Sequence, residues 1–135
     1  MGTWDDQLAI ADLIHRYSRA VNDGDDQSLR EFYTEGGVFA GLTGEFQIDT
    51  QFDAYVESLS SMRAGAFPNL RQLATTPVVD VDGDRAVAHT PVLLLATPPG
   101  GETKLVKSGV LRDELVRTEA GWRFKRREAR VDGVQ

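Results

Sequence analysis

The segment "HRYSRAVNDGDDQSLREFY", residues 15–33, reads as the end of one amphipathic helix, a polar turn and the start of a second helix. Ile10, Leu13, Ile14, Tyr17 and Val21 recur at helical spacing and therefore share one face. Thr3 is placed as the N-cap of that helix, and Asp6 completes a capping box. Asn22 to Gly24 break the helix, and Asp25 can cap a short second one whose Leu29, Phe32 and Tyr33 form an apolar stripe. The polar residue at the centre of the break is Asn22. Its amide cannot take a proton at neutral pH, but it can orient a ligand or polarise a group.

The pattern then changes twice. "TEGGVFAG", residues 34–41, starts a short strand. Phe52, Tyr55, Val56 and Leu59 stand at i, i+3, i+4 and i+7 and predict a third helix after Asp49 or Thr50. From residue 70 onward the periodicity is that of strands. "LRQLATTPVVDV" (70–81) and "RAVAHTPVLLLAT" (85–97) flank a hairpin signal at Asp82-Gly83. "KLVKSGVLRDELVR" (104–117) and "WRFKRREARV" (122–131) flank "TEAG". Helices followed by a long antiparallel meander indicate an α+β fold, read as one domain over residues 1–135.

With Asp82 and Gly83 as the turn, Thr76 faces His89 and Gln72 faces Leu93. Paired residues point to the same side of a sheet. This places Gln72, Ala74, Thr76, His89, Leu93 and Leu95 on a mainly apolar, pocket-facing side. Thr76, Leu93 and Leu95, with Phe39, Tyr55, Leu111 and Phe124 from other elements, make up the expected ligand-contacting set. The opposite side, with Val79, Val81, Ala88, Val92 and Leu94, is also apolar, which suggests a homodimer through the sheet. Pro77 and Pro91 cannot donate to a ladder and mark a bulge or bend. Asp113, Arg126 and Glu128 are candidate inward charges on the last two strands.

Composition narrows the function classes. The formal net charge of −6 argues against a nucleic-acid partner, which needs phosphate neutralisation. The basic cluster at 123–130 includes Glu128 and reads as a salt-bridged strand face. There is no cysteine for thiolate chemistry, and two separated histidines offer no metal-ligand spacing. No apolar run approaches the roughly 20 residues that span a bilayer, and the acidic start does not look like a signal peptide, so a cytoplasmic location is expected.

Three blocks, "IADLIHRYSRAVNDGDDQSLREFYTEGGVF", "VVDVDGDRAVAH" and "LRDELVRTEAGWRF", occur in an order and spacing that resemble the SnoaL-like branch of the NTF2-like superfamily. The resemblance covers nearly the whole chain. It implies a cone-shaped fold in which a curved antiparallel sheet wraps around the N-terminal helices and encloses a pocket, often in a homodimer. Relatives of this kind include dehydratases, dehydrochlorinases, polyketide cyclases, isomerases and non-catalytic members, so the fold does not decide the activity. Dehydratase-like members carry an Asp where this chain has Asn22 and a His where it has Gln72. An acidic pair is replaced by Gly36-Gly37, and two further polar positions fall at Gly109 and Leu111.

The leading expectation is a cofactor-free lyase, isomerase or cyclase acting by proton transfer on a mainly apolar small molecule. Tyr17, Asn22 and Gln72 would orient the substrate, and His89, the titratable group on the inferred pocket face, would move the proton. The alternative is a binding or dimerisation module that has lost the Asp–His pair. Neither reading requires a cofactor, a metal or a membrane.

Overall fold

The computed structural model describes residues 3–134. Helix α1, Trp4–Asp23, leads into a short 3-10 helix, Asp26–Phe32. Strands β1 (Tyr33–Gly41) and β2 (Gly44–Gln47) precede helix α2 (Ile48–Ala64). Strands β3 (Arg71–Ala74), β4 (Val78–Asp82), β5 (Arg85–Ala96), β6 (Lys104–Thr118) and β7 (Gly121–Val131) complete the chain.

Local chemistry sets the helix ends. Thr3 accepts from the Asp6 amide, and the Asp6 carboxylate accepts from the Thr3 amide, closing the capping box. Gly24 ends α1 in the left-handed region at φ 72°, where a side chain would be strained. The expected cap at Asp25 is corrected: its side chain makes no cap bond, and its carbonyl accepts from Ser28 instead. Asp6 also accepts from Trp122 and pairs with Arg117, which ties the start of α1 to the far hairpin. The Arg117 guanidinium holds the Asp6 carboxyl well below the usual carboxylate range.

The seven strands form one curved sheet in the order β2-β1-β7-β6-β5-β3, with β4 also paired to β5. Neighbours are antiparallel except β1 and β7, which run parallel. An all-antiparallel sheet was the expectation; the parallel pair arises because α2 and the meander intervene before the chain returns beside β1. The helices cover one face. Ile10, Ile14 and Tyr17 of α1 and Phe52, Tyr55 and Leu59 of α2 are buried against Leu94, Leu111, Leu115 and Phe124 of the sheet.

Bulges decide which residues face the helices. Asp82 pairs with Arg85, so the hairpin turn is Gly83-Asp84, with Gly83 at φ 62°. Val78 pairs with His89 while Ala74 pairs with Val92, so one extra residue lies on the β3–β4 side. Pro77 lies in that interruption, and Thr75 bonds the Pro91 carbonyl through its amide and hydroxyl, both at 2.9 Å. An odd insertion reverses side-chain parity. The inner face of β5 is therefore Ala86, Ala88, Thr90, Val92 and Leu94, all buried. This corrects the sequence reading, which put His89, Leu93 and Leu95 inside and gave Val79, Val81, Ala88, Val92 and Leu94 to an outward, dimer-forming side; those five belong to the core or pack against it. His89 is exposed on the outer face, and Thr76 is exposed in the interruption.

A second bulge lies in β7. Leu115 pairs with Phe124 and Glu114 with Arg126, leaving Lys125 unpaired and exposed. Parity switches there, so Trp122 and Phe124 face inward before the bulge and Arg127 after it. The Gly36-Gly37 pair forms a third irregularity, between Tyr33 and Val38 of β1, with the Gly36 amide held by Asp49 at 2.8 Å.

Gly109, which pairs with Val131, has no room for a side chain. A Cβ there would overlap the Arg130 carbonyl oxygen and lie 3.1 Å from the Val131 Cα. Backbone must move to admit even a methyl group. Gly109→Ala should lower stability by about 1–3 kcal/mol, measured by chemical denaturation, and an unchanged midpoint would contradict this packing.

Candidate functional site

A cavity of about 60 Å³ lies between α1, the C-terminal half of α2 and the inner face of the sheet. Val21, Leu59, Met62, Leu70, Leu94 and Val131 give it apolar walls. Tyr17, Tyr55, Gln72 and Arg127 supply its polar atoms, and Leu42 and Thr43 of the β1–β2 turn stand at its rim. Two larger hollows, of about 430 and 390 Å³, are open surface grooves. One crosses the outer face of β4–β7 and the other runs along α1 beside the β6–β7 turn. The small cavity is the better candidate because the buried polar groups converge on it.

Two lining tyrosines, Tyr17 and Tyr55, meet a third, Tyr33, behind the cavity wall. The Tyr17 hydroxyl lies 2.8 Å from that of Tyr33 and 2.6 Å from that of Tyr55. They come from α1, β1 and α2, and all three are buried. Burial pushes their phenol pKa values well up, so they remain protonated donors. Three O–H protons serve two mutual bonds, so one is left to donate elsewhere.

Behind this wall lies a buried ion pair. Asp113 and Arg127 face each other across β6 and β7 and are 0% and 1% exposed. Arg127 Nε stands 3.1 Å from Asp113 Oδ1, but the N–H is not aimed at the oxygen. The contact is an ion pair by distance and not a hydrogen bond by direction. None of the three guanidinium nitrogens has a hydrogen-bond partner among the described residues. The guanidinium carbon lies 4.4 Å from the Tyr17 ring centroid and 4.6 Å from that of Phe124. Desolvation raises the Asp113 carboxyl to about 6, outweighing the pull of Arg127 and Arg112.

Tyr17, Phe39, Tyr55, Gln72 and Leu111 of the sequence-predicted set line the cavity. Phe124 lies one layer deeper, against Tyr17 and Arg127. Asn22 is directed elsewhere. Its Nδ2 donates to the Gln72 carbonyl at 3.0 Å, and its Oδ1 accepts from the Gln72 amide at 2.6 Å. Its side chain thus acts like a strand partner for β3 and is not a cavity group. The Gln72 side chain is steadied by Ser18, which donates to its Oε1 at 2.9 Å.

Thr76, His89, Leu93 and Leu95 are away from the cavity for the parity reason given above. Of the candidate inward charges, Asp113 is inside, whereas Arg126 pairs with Glu45 on the surface and Glu128 with Arg130. Arg127 was missed. A signal existed: Trp122 and Phe124 are even-numbered, and Ala129 and Val131 are odd-numbered, so one regular strand cannot bury all four.

Two outcomes are expected. Asn22→Asp loses the donor to the Gln72 carbonyl and sets a carboxylate against it. It should cost about 1–3 kcal/mol in denaturant unfolding, and a neutral result would count against the bridging role. Asp113 has a folded-state pKa above its unfolded value, so between pH 4 and 6 the folded protein binds more protons and its stability falls as pH rises. A shift from 3.8 to about 6 corresponds to about 3 kcal/mol. Unfolding curves across this range should show that slope, and Asp113→Asn should remove it.

A family model described as a SnoaL-like domain matches residues 3–128. No curated protein matches the sequence. Solved structures with the same fold are numerous. A protein of unknown function from Mycobacterium tuberculosis is 25% identical, with a TM-score of 0.81 over 97% of this chain and 74% of its own. An NTF2-like protein with a cystatin-like fold from Novosphingobium aromaticivorans is also 25% identical, with a TM-score of 0.81 over 96% and 84%. A cystatin-like protein of unknown function from Nostoc punctiforme is 16% identical, with a TM-score of 0.80 over 97% and 94%. With the family match spanning nearly its whole length, the chain belongs to the SnoaL-like domain family of NTF2-like proteins.

Proposed function

We propose that this chain binds a small, mainly apolar molecule in the cavity between its helices and sheet, holding one oxygen of that molecule with Arg127 and the tyrosine cluster. The observation that carries the reading is Arg127, which is among the residues lining an apolar cavity and has a guanidinium with no hydrogen-bond partner among the described residues. Buried donors are normally satisfied, and one that is not marks a place for a ligand group. Binding is favoured over turnover because no carboxylate or imidazole is among the cavity-lining side chains. The proton-transfer mechanism expected from His89 has no geometric support, since that residue is on the opposite face of the sheet.

A second reading keeps cofactor-independent lyase, isomerase or cyclase chemistry. It rests on Asp113, whose carboxyl, raised to about 6, exchanges its proton near neutrality beside Arg127. Tyr17 and Arg127 would then stabilise an enolate-like oxygen. A homodimer through the outer face of the sheet, where Leu73, Val78 and Leu105 are exposed, also belongs to this proposal.

A thermal-shift panel of small aromatic, terpenoid and acyl compounds tests the binding reading. A ligand at a hundred times its dissociation constant should add about 2.7 kcal/mol of stability. The shift should vanish in Ala129→Phe, which fills the cavity, and persist in His89→Ala. Retention in Ala129→Phe would place the ligand elsewhere. Mass spectrometry of the bound compound after incubation separates the two readings, because only the second yields product, and only the second loses it in Asp113→Asn.

A further inference from the structure

Helix α1 carries two stripes. Ile10, Ile14, Tyr17 and Val21 form the buried one. Trp4, Leu8, Ala11 and His15 repeat the same four-three-four spacing on another face. Trp4 is 81% exposed and Leu8 66%, the highest values for large apolar side chains among the described residues. Neither belongs to the apolar cluster beneath α1. Ala11 is half-buried and His15 is exposed. Single apolar residues are common on a surface, but here a tryptophan and a leucine stand one helical turn apart on one side.

The pattern within the stripe says what fits it. Its large residues, Trp4 and Leu8, come first, and its smaller ones, Ala11 and His15, come last. An antiparallel copy of the same helix sets Trp4 opposite His15 and Leu8 opposite Ala11, so large meets small in each row. Two-fold symmetry makes each of these contacts twice. Charge selects the same direction. Asp5 is exposed in the first turn, whereas the exposed residues beyond the middle of the stripe include His15, Arg16 and Arg19. Asp5 and Arg16 lie on the same flank of the stripe, so antiparallel pairing brings Asp5 of each copy beside Arg16 of the other. Arg16 holds Asp12 through its Nε at 2.7 Å, which leaves its two terminal nitrogens for a second carboxylate. A parallel copy would instead set Asp5 against Asp5 and Arg16 against Arg16.

We infer that the Trp4–Leu8–Ala11–His15 face of α1 docks on the same face of a second copy of this chain, with the two helices antiparallel. The contact is separate from the cavity and from the outer face of the sheet, where Val78 is exposed. The stripe runs for only about 16 Å along the helix, so the area it buries is small and the association is weak.

Sedimentation equilibrium of the unaltered protein, at concentrations up to about 1 mM, tests this. Concentration-dependent self-association is expected. Combining Trp4→Ala with Leu8→Ala should weaken one association step by about tenfold or more, while Val78→Ser leaves that step unchanged. Both truncations are at exposed sites and cost little folding stability. Asp5→Lys alone should weaken the same step, and Asp5→Lys together with Arg16→Glu should restore it, because the exchanged charges meet again across the pair. A protein that stays monomeric throughout overturns the inference. So does association that the Trp4 and Leu8 truncations leave unchanged, which places the contact elsewhere. A charge exchange that recovers no affinity overturns the antiparallel arrangement.

Discussion

One guanidinium organises the interior of this protein. Arg127 is carried inward by the bulge at Lys125 and enclosed between the rings of Tyr17 and Phe124. Desolvating such a cation costs several kcal/mol. Two faces of aromatic charge, each worth up to about 2 kcal/mol when dry, and the nearby Asp113 offset part of that. The remainder is an arginine whose guanidinium nitrogens have no hydrogen-bond partner among the described residues. The helix α1 that supplies Tyr17, the strand that supplies Phe124 and the strand that supplies Asp113 are all positioned around this charge.

The tyrosine cluster fixes the other side. Its three hydroxyls meet at one point but belong to three elements distant in sequence, at positions 17, 33 and 55. Such a junction leaves little freedom for the helices to slide over the sheet, because each shift would break a buried hydrogen bond. It also fills the centre of the cone with side chains, which explains why the enclosed space is small. A compact cavity with rigid donors discriminates by shape and by hydrogen-bond polarity more than by general greasiness.

The elements of the fold were legible in the sequence because their signals are local. The Thr3–Asp6 capping box, the stop at Gly24 and the helical spacing of Phe52, Tyr55 and Leu59 are each decided within a few residues. The side chains of the site were less legible because strand parity is cumulative. One extra residue near Pro77 reversed every assignment on β5, exchanging His89 for Ala88 and Thr90. One extra residue at Lys125 brought Arg127 inside in place of Arg126. The run "RFKRREAR" hides its bulge because charged residues give no inside–outside alternation to follow. Pro77 did announce an interruption. What it could not announce was the count of residues inserted, and that count alone decides the face.

The amide of Asn22 has a consequence beyond joining α1 to β3. Strand β3 is the last in the sheet, and a terminal strand exposes backbone groups that invite another chain to add on. By taking both the amide and the carbonyl of Gln72, one side chain occupies the outward pairing site in the middle of a four-residue edge. An ionised carboxylate could fill only half of that role, since it accepts but cannot donate. The carboxamide fills both halves at any pH. The Asn22 side chain thus closes part of an open sheet edge to strand addition, which works against self-association through that edge.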